Sequence, residues 1–163
     1  MNTARICVIY YSYEGNTKAI AESISEATGA KLISLKSVNE MESTGFMRYI
    51  YGGYKARIDD TPELVPYDFN ADDYDLIFIG TPVWWYTLSP TINSFMNKTK
   101  FENKNVAIFC TDGGGIGSTF TKMKELLVNN NIVGEKEFVK VLKTQGSTDV
   151  AKQWSTDIVN QLK

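Results

Sequence analysis

The chain has 163 residues, 43% of them apolar, with a net charge of −2, two cysteines and no histidine. That size and composition suit one globular domain, 1–163, and the missing imidazole excludes any mechanism that needs a histidine base. Cys7 and Cys110, each inside an apolar run, are too few for a disulfide scaffold and read as reduced, buried thiols of a cytoplasmic protein.

In chain order, the opening MNTAR leads straight into Ile6-Cys7-Val8-Ile9. This is too short for a secretory leader or a membrane span, so no membrane is expected as partner. Arg5–Tyr11 is the first predicted strand. Thr17–Thr28 follows as a helix with Ile20, Ile24 and Ala27 on one face and Gly29 as its stop. Lys31–Leu35 is the second strand. Residues 37–73 form an irregular connection in which Met47, Ile50, Tyr51 and Tyr54 suggest a helix broken at Gly52-Gly53. The connection is longer than a crossover needs, and we expect it to wall a site.

Charge is uneven along the chain. Residues 1–97 hold seven Lys/Arg against twelve Asp/Glu, and residues 98–163 hold ten against seven. Much of the acid lies at Asp59, Asp60, Glu63, Asp68, Asp72, Asp73 and Asp75. It reads either as a solvated connection or as an acidic collar that meets a basic redox partner and opposes negative charge on a cofactor. With no basic stripe, nucleic acid is not an expected partner.

The later elements are strands at Leu76–Thr81, Val106–Thr111 and Phe138–Leu142 and helices at Ser89–Lys98 and Ser118–Asn130. A last helix carries a stripe of Val150, Trp154, Ile158 and Leu162, on which Trp154 is a core residue. Nearly continuous apolar strands alternating with amphipathic helices predict an α/β fold. The expected architecture is a doubly wound, five-stranded parallel sheet, order 2-1-3-4-5, with helices on both faces.

Three segments carry chemistry. Ser12-Tyr13-Glu14-Gly15-Asn16-Thr17 links the first strand to the first helix. Its free backbone N–H groups, with Ser12, Asn16 and Thr17 as side-chain donors, suit an anion. Lacking Lys and Arg, it fits a phosphate monoester better than a triphosphate with Mg²⁺. Pro82-Val83-Trp84-Trp85-Tyr86 ends the third strand, and three consecutive aromatics there offer flat walls to a planar ring. Thr111-Asp112-Gly113-Gly114-Gly115 ends the fourth, where glycine permits a close backbone approach to a ligand. Gly115-Ile116-Gly117 leads to Phe120, not glycine, so it is no dinucleotide fingerprint.

Tyr11 through Thr17 resembles the flavodoxin phosphate loop, Ser/Thr-x-Thr-Gly-x-Thr, with Glu14 in place of a hydroxyl residue and expected to point outward. Asp75 through Tyr86 resembles the third strand and following loop of short-chain flavodoxins. The resemblance implies one FMN, held by Ser12 to Thr17, Pro82 to Tyr86 and Thr111 to Gly115. It also implies redox partner proteins, a reductase and an acceptor enzyme, and we expect a monomer or weak dimer. The family often stacks a tyrosine from the glycine loop; none stands there, so the duty passes to Trp84, Trp85 or Tyr86. Flavodoxins also turn a peptide over in the loop after the third strand. With no glycine in 81–86, we expect positive φ to be unfavourable there.

An electron carrier is the first functional reading. The alternative is an FMN-dependent NAD(P)H:quinone or azo-type oxidoreductase of the same fold. A phospho-acceptor domain is excluded because the third strand ends in Gly80-Thr81-Pro82, without an aspartate. A low-molecular-weight phosphatase is excluded because no Cys-x5-Arg follows Cys7.

Overall fold

A computed structural model describes residues 3–40, 54–55 and 60–163. Strands β1 (Ile6–Tyr10), β2 (Lys31–Ser34), β3 (Leu76–Trp84), β5 (Asn105–Asp112) and β6 (Asn131–Val139) form a parallel sheet in the order β2-β1-β3-β5-β6. A short strand, β4 (Thr87–Leu88), folds back antiparallel onto the end of β3. The five-stranded doubly wound order is the expected one; β4 is an addition to it.

Both faces of the central strands are apolar because both are covered. Helices α1 (Asn16–Thr28) and α4 (Ser147–Gln161) pack on Ile6, Val8, Leu76, Phe78, Ala107 and Phe109. Helices α2 (Pro90–Lys98) and α3 (Thr119–Leu126) pack on Cys7, Ile9, Ile77, Ile79, Ile108 and Cys110. Such alternation along one strand follows from the two-residue side-chain period. Ser89 caps α2, its Oγ accepting from the Ile92 N–H at 3.4 Å, with Pro90 in the first turn where its missing donor costs nothing.

Several boundaries move. The last strand runs from Asn131, not from Phe138, because it lies at a sheet edge and tolerates Glu135, Lys136 and Glu137. Leu142 falls in a short 3-10 turn, Val141–Lys143, and is 62% exposed. Helix α3 stops at Leu126, and Asn130 instead bonds the Lys104 N–H and the Phe101 carbonyl at 3.1 and 2.8 Å. On α4 the stripe is real only in the middle. Val150 and Leu162 are exposed, while Ala151, Ser155 and Ile158 are buried. Trp154 is half-buried and packs against the core, edge-on to Phe78, Phe109 and Phe138.

Met47, Ile50, Tyr51, Gly52 and Gly53 of the suggested helix, and Asp59, lie outside the described residues. The described ends of the connection are tied to the domain. Ser37 pairs with Leu64, and the Asn93 amide and Ser94 hydroxyl of α2 donate to the carbonyls of Asp60 and Pro62 at 3.2 and 2.5 Å.

Candidate functional site

The three sequence-predicted loops all leave the carboxyl ends of β1, β3 and β5, three neighbouring strands, and so meet at one edge of the sheet. The first loop turns on Gly15, whose φ of +99° a side chain would strain and whose N–H donates to Ser12 Oγ at 3.2 Å. Glu14 is exposed, as expected. The first α1 hydrogen bond runs from the Ala19 N–H to the Gly15 carbonyl. The N–H groups of Asn16, Thr17 and Lys18 therefore precede the helical ladder, with the positive end of the dipole behind them.

Two of the expected side chains also tie the first loop to the rest of the fold. Thr17 is buried, and its hydroxyl pairs with that of Thr111 at 2.8 Å. Asn16 accepts the Leu142 N–H at 3.2 Å through Oδ1. Ser12 keeps a hydroxyl proton to donate, because toward Gly15 it acts as acceptor.

The aromatic segment is a hairpin. β3 continues through Pro82 and Val83 to Trp84, and the register pairs Val83 with Leu88 and Trp84 with Thr87. Trp85 and Tyr86 make the two-residue turn, at φ +48° and +64°. Two positive-φ central residues match the twist of a tight hairpin. This glycine-free loop therefore adopts positive φ at two residues despite the cost expected there. Strand pairing outweighs a local cost of about 1–2 kcal/mol per residue. Trp84 stands edge-on to Tyr11 and Tyr13, with ring centroids 5.8 and 6.4 Å away. Tyr86 is 64% exposed.

In the third loop the glycines divide. Beyond Gly113 and Gly114 a side chain would meet nothing within 4 Å, so these two face open space. A Cβ on Gly115 would stand 3.2 Å from the Tyr86 ring, and one on Gly117 only 2.2 Å from the Tyr86 carbonyl oxygen. Asp112 Oδ2 accepts the Gly115 N–H at 3.1 Å, and the Asp112 carbonyl accepts the Lys140 N–H at 2.7 Å. Asp112 Oδ1 is buried without a partner. The Asp112 carboxyl, through a hydrogen bond first and burial second, raises Glu137 above the usual carboxylate range.

A shallow cleft, open to solvent, lies beside Tyr11, Tyr13 and Trp84. Asn39, Lys55 and Asp60 of the long connection also line it. Among the described residues no group of acids, cysteines or histidines could hold a metal ion.

The later acids of the stretch lie away from the site. Asp72, Asp73 and Asp75 precede β3 and lie at the amino edge of the sheet, a strand length from the site. Most of the acids are also paired: Asp60 with Lys55, Asp68 with Lys31, Asp72 with Lys104 and Asp75 with Arg5 at 3.6, 2.8, 3.4 and 2.9 Å. Asp60, by contrast, lines the cleft beside Trp84.

Sequence reasoning missed Ser118 and the Lys140–Leu142 turn, and it saw Gly117 in the glycine run without its partner. The Ser118 N–H and Oγ both donate to the Tyr86 carbonyl, at 2.8 and 3.3 Å. Gly117 had a visible signal, its place in a Gly-Ile-Gly-Ser run, but spacing alone names no partner.

A doubly wound sheet with its loops gathered at the switch between β1 and β3 defines a class of ligand-binding α/β proteins. Residues 52–158 match the family model described as Flavodoxin. The chain belongs to the flavodoxin family. Among curated proteins it is 32% identical over 130 residues to NAD(P)H dehydrogenase (quinone) 3 of Rhizobium meliloti (strain 1021), covering 72% of this chain. The match spans about half of that relative, 52% of its length. Among solved structures it resembles a flavoprotein of Lactobacillus acidophilus NCFM in complex with FMN, at TM-score 0.72 and 24% identity, covering 82% of this chain and 93% of that one. Oxidised Flavodoxin 2 of Bacillus cereus matches at TM-score 0.63 and 18% identity over 97% and 99% of the two chains. At these identities the structural matches speak for the fold.

Proposed function

We propose that the chain binds one FMN at the carboxyl edge of the sheet and carries electrons between redox enzymes of the cytoplasm. The observation that carries this is the physical joining of the three loops. The Thr17–Thr111 bond ties the first to the third, and the Ser118–Tyr86 bonds tie the third to the second. Such a composite cradle suits one ligand with a phosphate end, a planar end and a polar ring edge.

The residues present fit FMN. The first-turn N–H groups of α1 and the Ser12 hydroxyl would hold the phosphate, and no cation within the loop calls for a more highly charged anion. Trp84 to Tyr86 would wall the ring, and the open backbone at Gly113 and Gly114 would meet its polar edge. The bound flavin supplies one- or two-electron redox chemistry; the chain supplies affinity, orientation and a dry aromatic surface. Buried thiols at Cys7 and Cys110 suit a reducing compartment. Among the described residues no helix is long and apolar enough to cross a membrane.

A second reading, an NAD(P)H-dependent quinone reductase, is favoured by the name of the curated relative. Calorimetric titration of apoprotein with FMN, FAD and riboflavin tests the cofactor: FMN should bind tightest. Steady-state assays with NADH and NADPH plus a soluble quinone then separate the two activities. A carrier leaves both dinucleotides unconsumed, whereas turnover with either establishes the reductase.

A further inference from the structure

The glycine loop lacks an aromatic residue of its own, yet an aromatic ring stands where one would project. The Tyr86 ring lies against Gly115, with Cε1 3.2 Å from the point a Cβ would occupy. It reaches the loop from a different strand, on a turn whose φ of +64° is unfavourable for tyrosine. Something must hold it there. Ser118 donates twice to the Tyr86 carbonyl, and Gly117, at φ +52°, packs so close that any side chain would strike that same oxygen. Thr87, the next residue, is buried, and α3 begins at Thr119, directly after the contact, so both sides are anchored in regular structure.

We propose that Gly115, Gly117 and Ser118 are positioning residues that clasp the hairpin tip and set the Tyr86 ring as the aromatic wall missing from the glycine loop. The glycine run thus has two jobs. Gly113 and Gly114 leave room for ligand, and Gly115 and Gly117 leave room for Tyr86. Trp84 instead stands edge-on to Tyr11 and Tyr13. The inference rests on the flavin reading for its ligand, but the clasp itself is a property of the apoprotein.

A double-mutant cycle of Gly117→Ala and Tyr86→Ala, read by dissociation constants for FMN and for riboflavin, tests it. Gly117→Ala should weaken both ligands by the same factor, about tenfold, since a ring wall is lost and the phosphate loop is untouched. In the Tyr86→Ala background it should have little further effect. Ser118→Ala, which keeps the backbone bond and folds more safely, should show the same pattern at a few-fold. In the apoprotein, hydrogen exchange at the Ser118 amide should quicken in Gly117→Ala. Equal losses with and without Tyr86, or a loss for FMN alone, would overturn the clasp. If wild type binds neither flavin but Ser118 exchange still responds, the flavin reading fails and the clasp stands; an unchanged Ser118 amide sinks the clasp itself.

Discussion

The hydroxyls of Thr17 and Thr111 meet at 2.8 Å, joining the first turn of α1 to the carboxyl end of β5 across 94 residues of sequence. Both side chains are buried, so each is the other's polar partner, and one of the two hydroxyl protons is spent within the pair.

Thr17→Ala should therefore destabilise the apoprotein by about 1–3 kcal/mol, the cost of stranding a buried hydroxyl. It should weaken FMN and riboflavin alike by loosening the whole cradle. Ser12→Ala should do the reverse, leaving urea unfolding nearly unchanged and weakening FMN but not riboflavin. Parallel unfolding curves and flavin titrations of the two variants check this contrast.

The tryptophans should separate by fluorescence. Trp84 stands beside Tyr11 and Tyr13 at the candidate ring wall, and Trp85 is at the hairpin tip. Trp154 is on the opposite face of the sheet among Phe78, Phe109 and Phe138. Trp84→Phe should remove much of the contact-range quenching caused by FMN. Trp154→Phe should leave that component intact and lower stability, because three edge-on ring contacts are perturbed.

Two carboxyls should shape stability against pH in opposite senses. The Arg5 guanidinium, through its hydrogen bond first, holds Asp75 below the usual carboxylate range. A depressed folded value gives stability that is complete above the ordinary carboxylate value and lost as pH falls through the folded one. Asp75→Asn should thus flatten the acid limb of the unfolding profile. Glu137 is raised, chiefly by its hydrogen bond with Asp112, so its contribution is present at low pH and lost as pH rises through the folded value. Glu137→Gln should stabilise the protein near pH 7 and leave it unchanged at strongly acid pH. Urea midpoints measured across the acid-to-neutral range check both signs.

The thiols should be silent in the native state. Burial pushes Cys7 up to about 12, and burial first, then the carboxylates of Asp112, Glu137 and Glu135, raises Cys110 as well. A thiol reagent at pH 8 should label neither cysteine until urea unfolds the chain, when both should react together. Early labelling of Cys110 alone would show that the end of β5 opens by itself.

The five-stranded order came from the fold class that alternating strands and helices imply, whereas the alternation itself, the inward side of Trp154 and the three loops were legible residue by residue. The latter features rest on local patterns, because strand and helix periodicities and terminal turn chemistry are written over a few adjacent residues. Only the tertiary structure decided that Thr17 answers Thr111, that Asp75 pairs with Arg5 far from the site, and that Gly117 makes room for Tyr86. It also set the positive φ of Trp85 and Tyr86, against their own preference, because β4 must pair with β3. The physical reason is one of range. Burial and propensity are summed along the chain, whereas a hydrogen-bond partner is fixed by the packing that brings distant segments together.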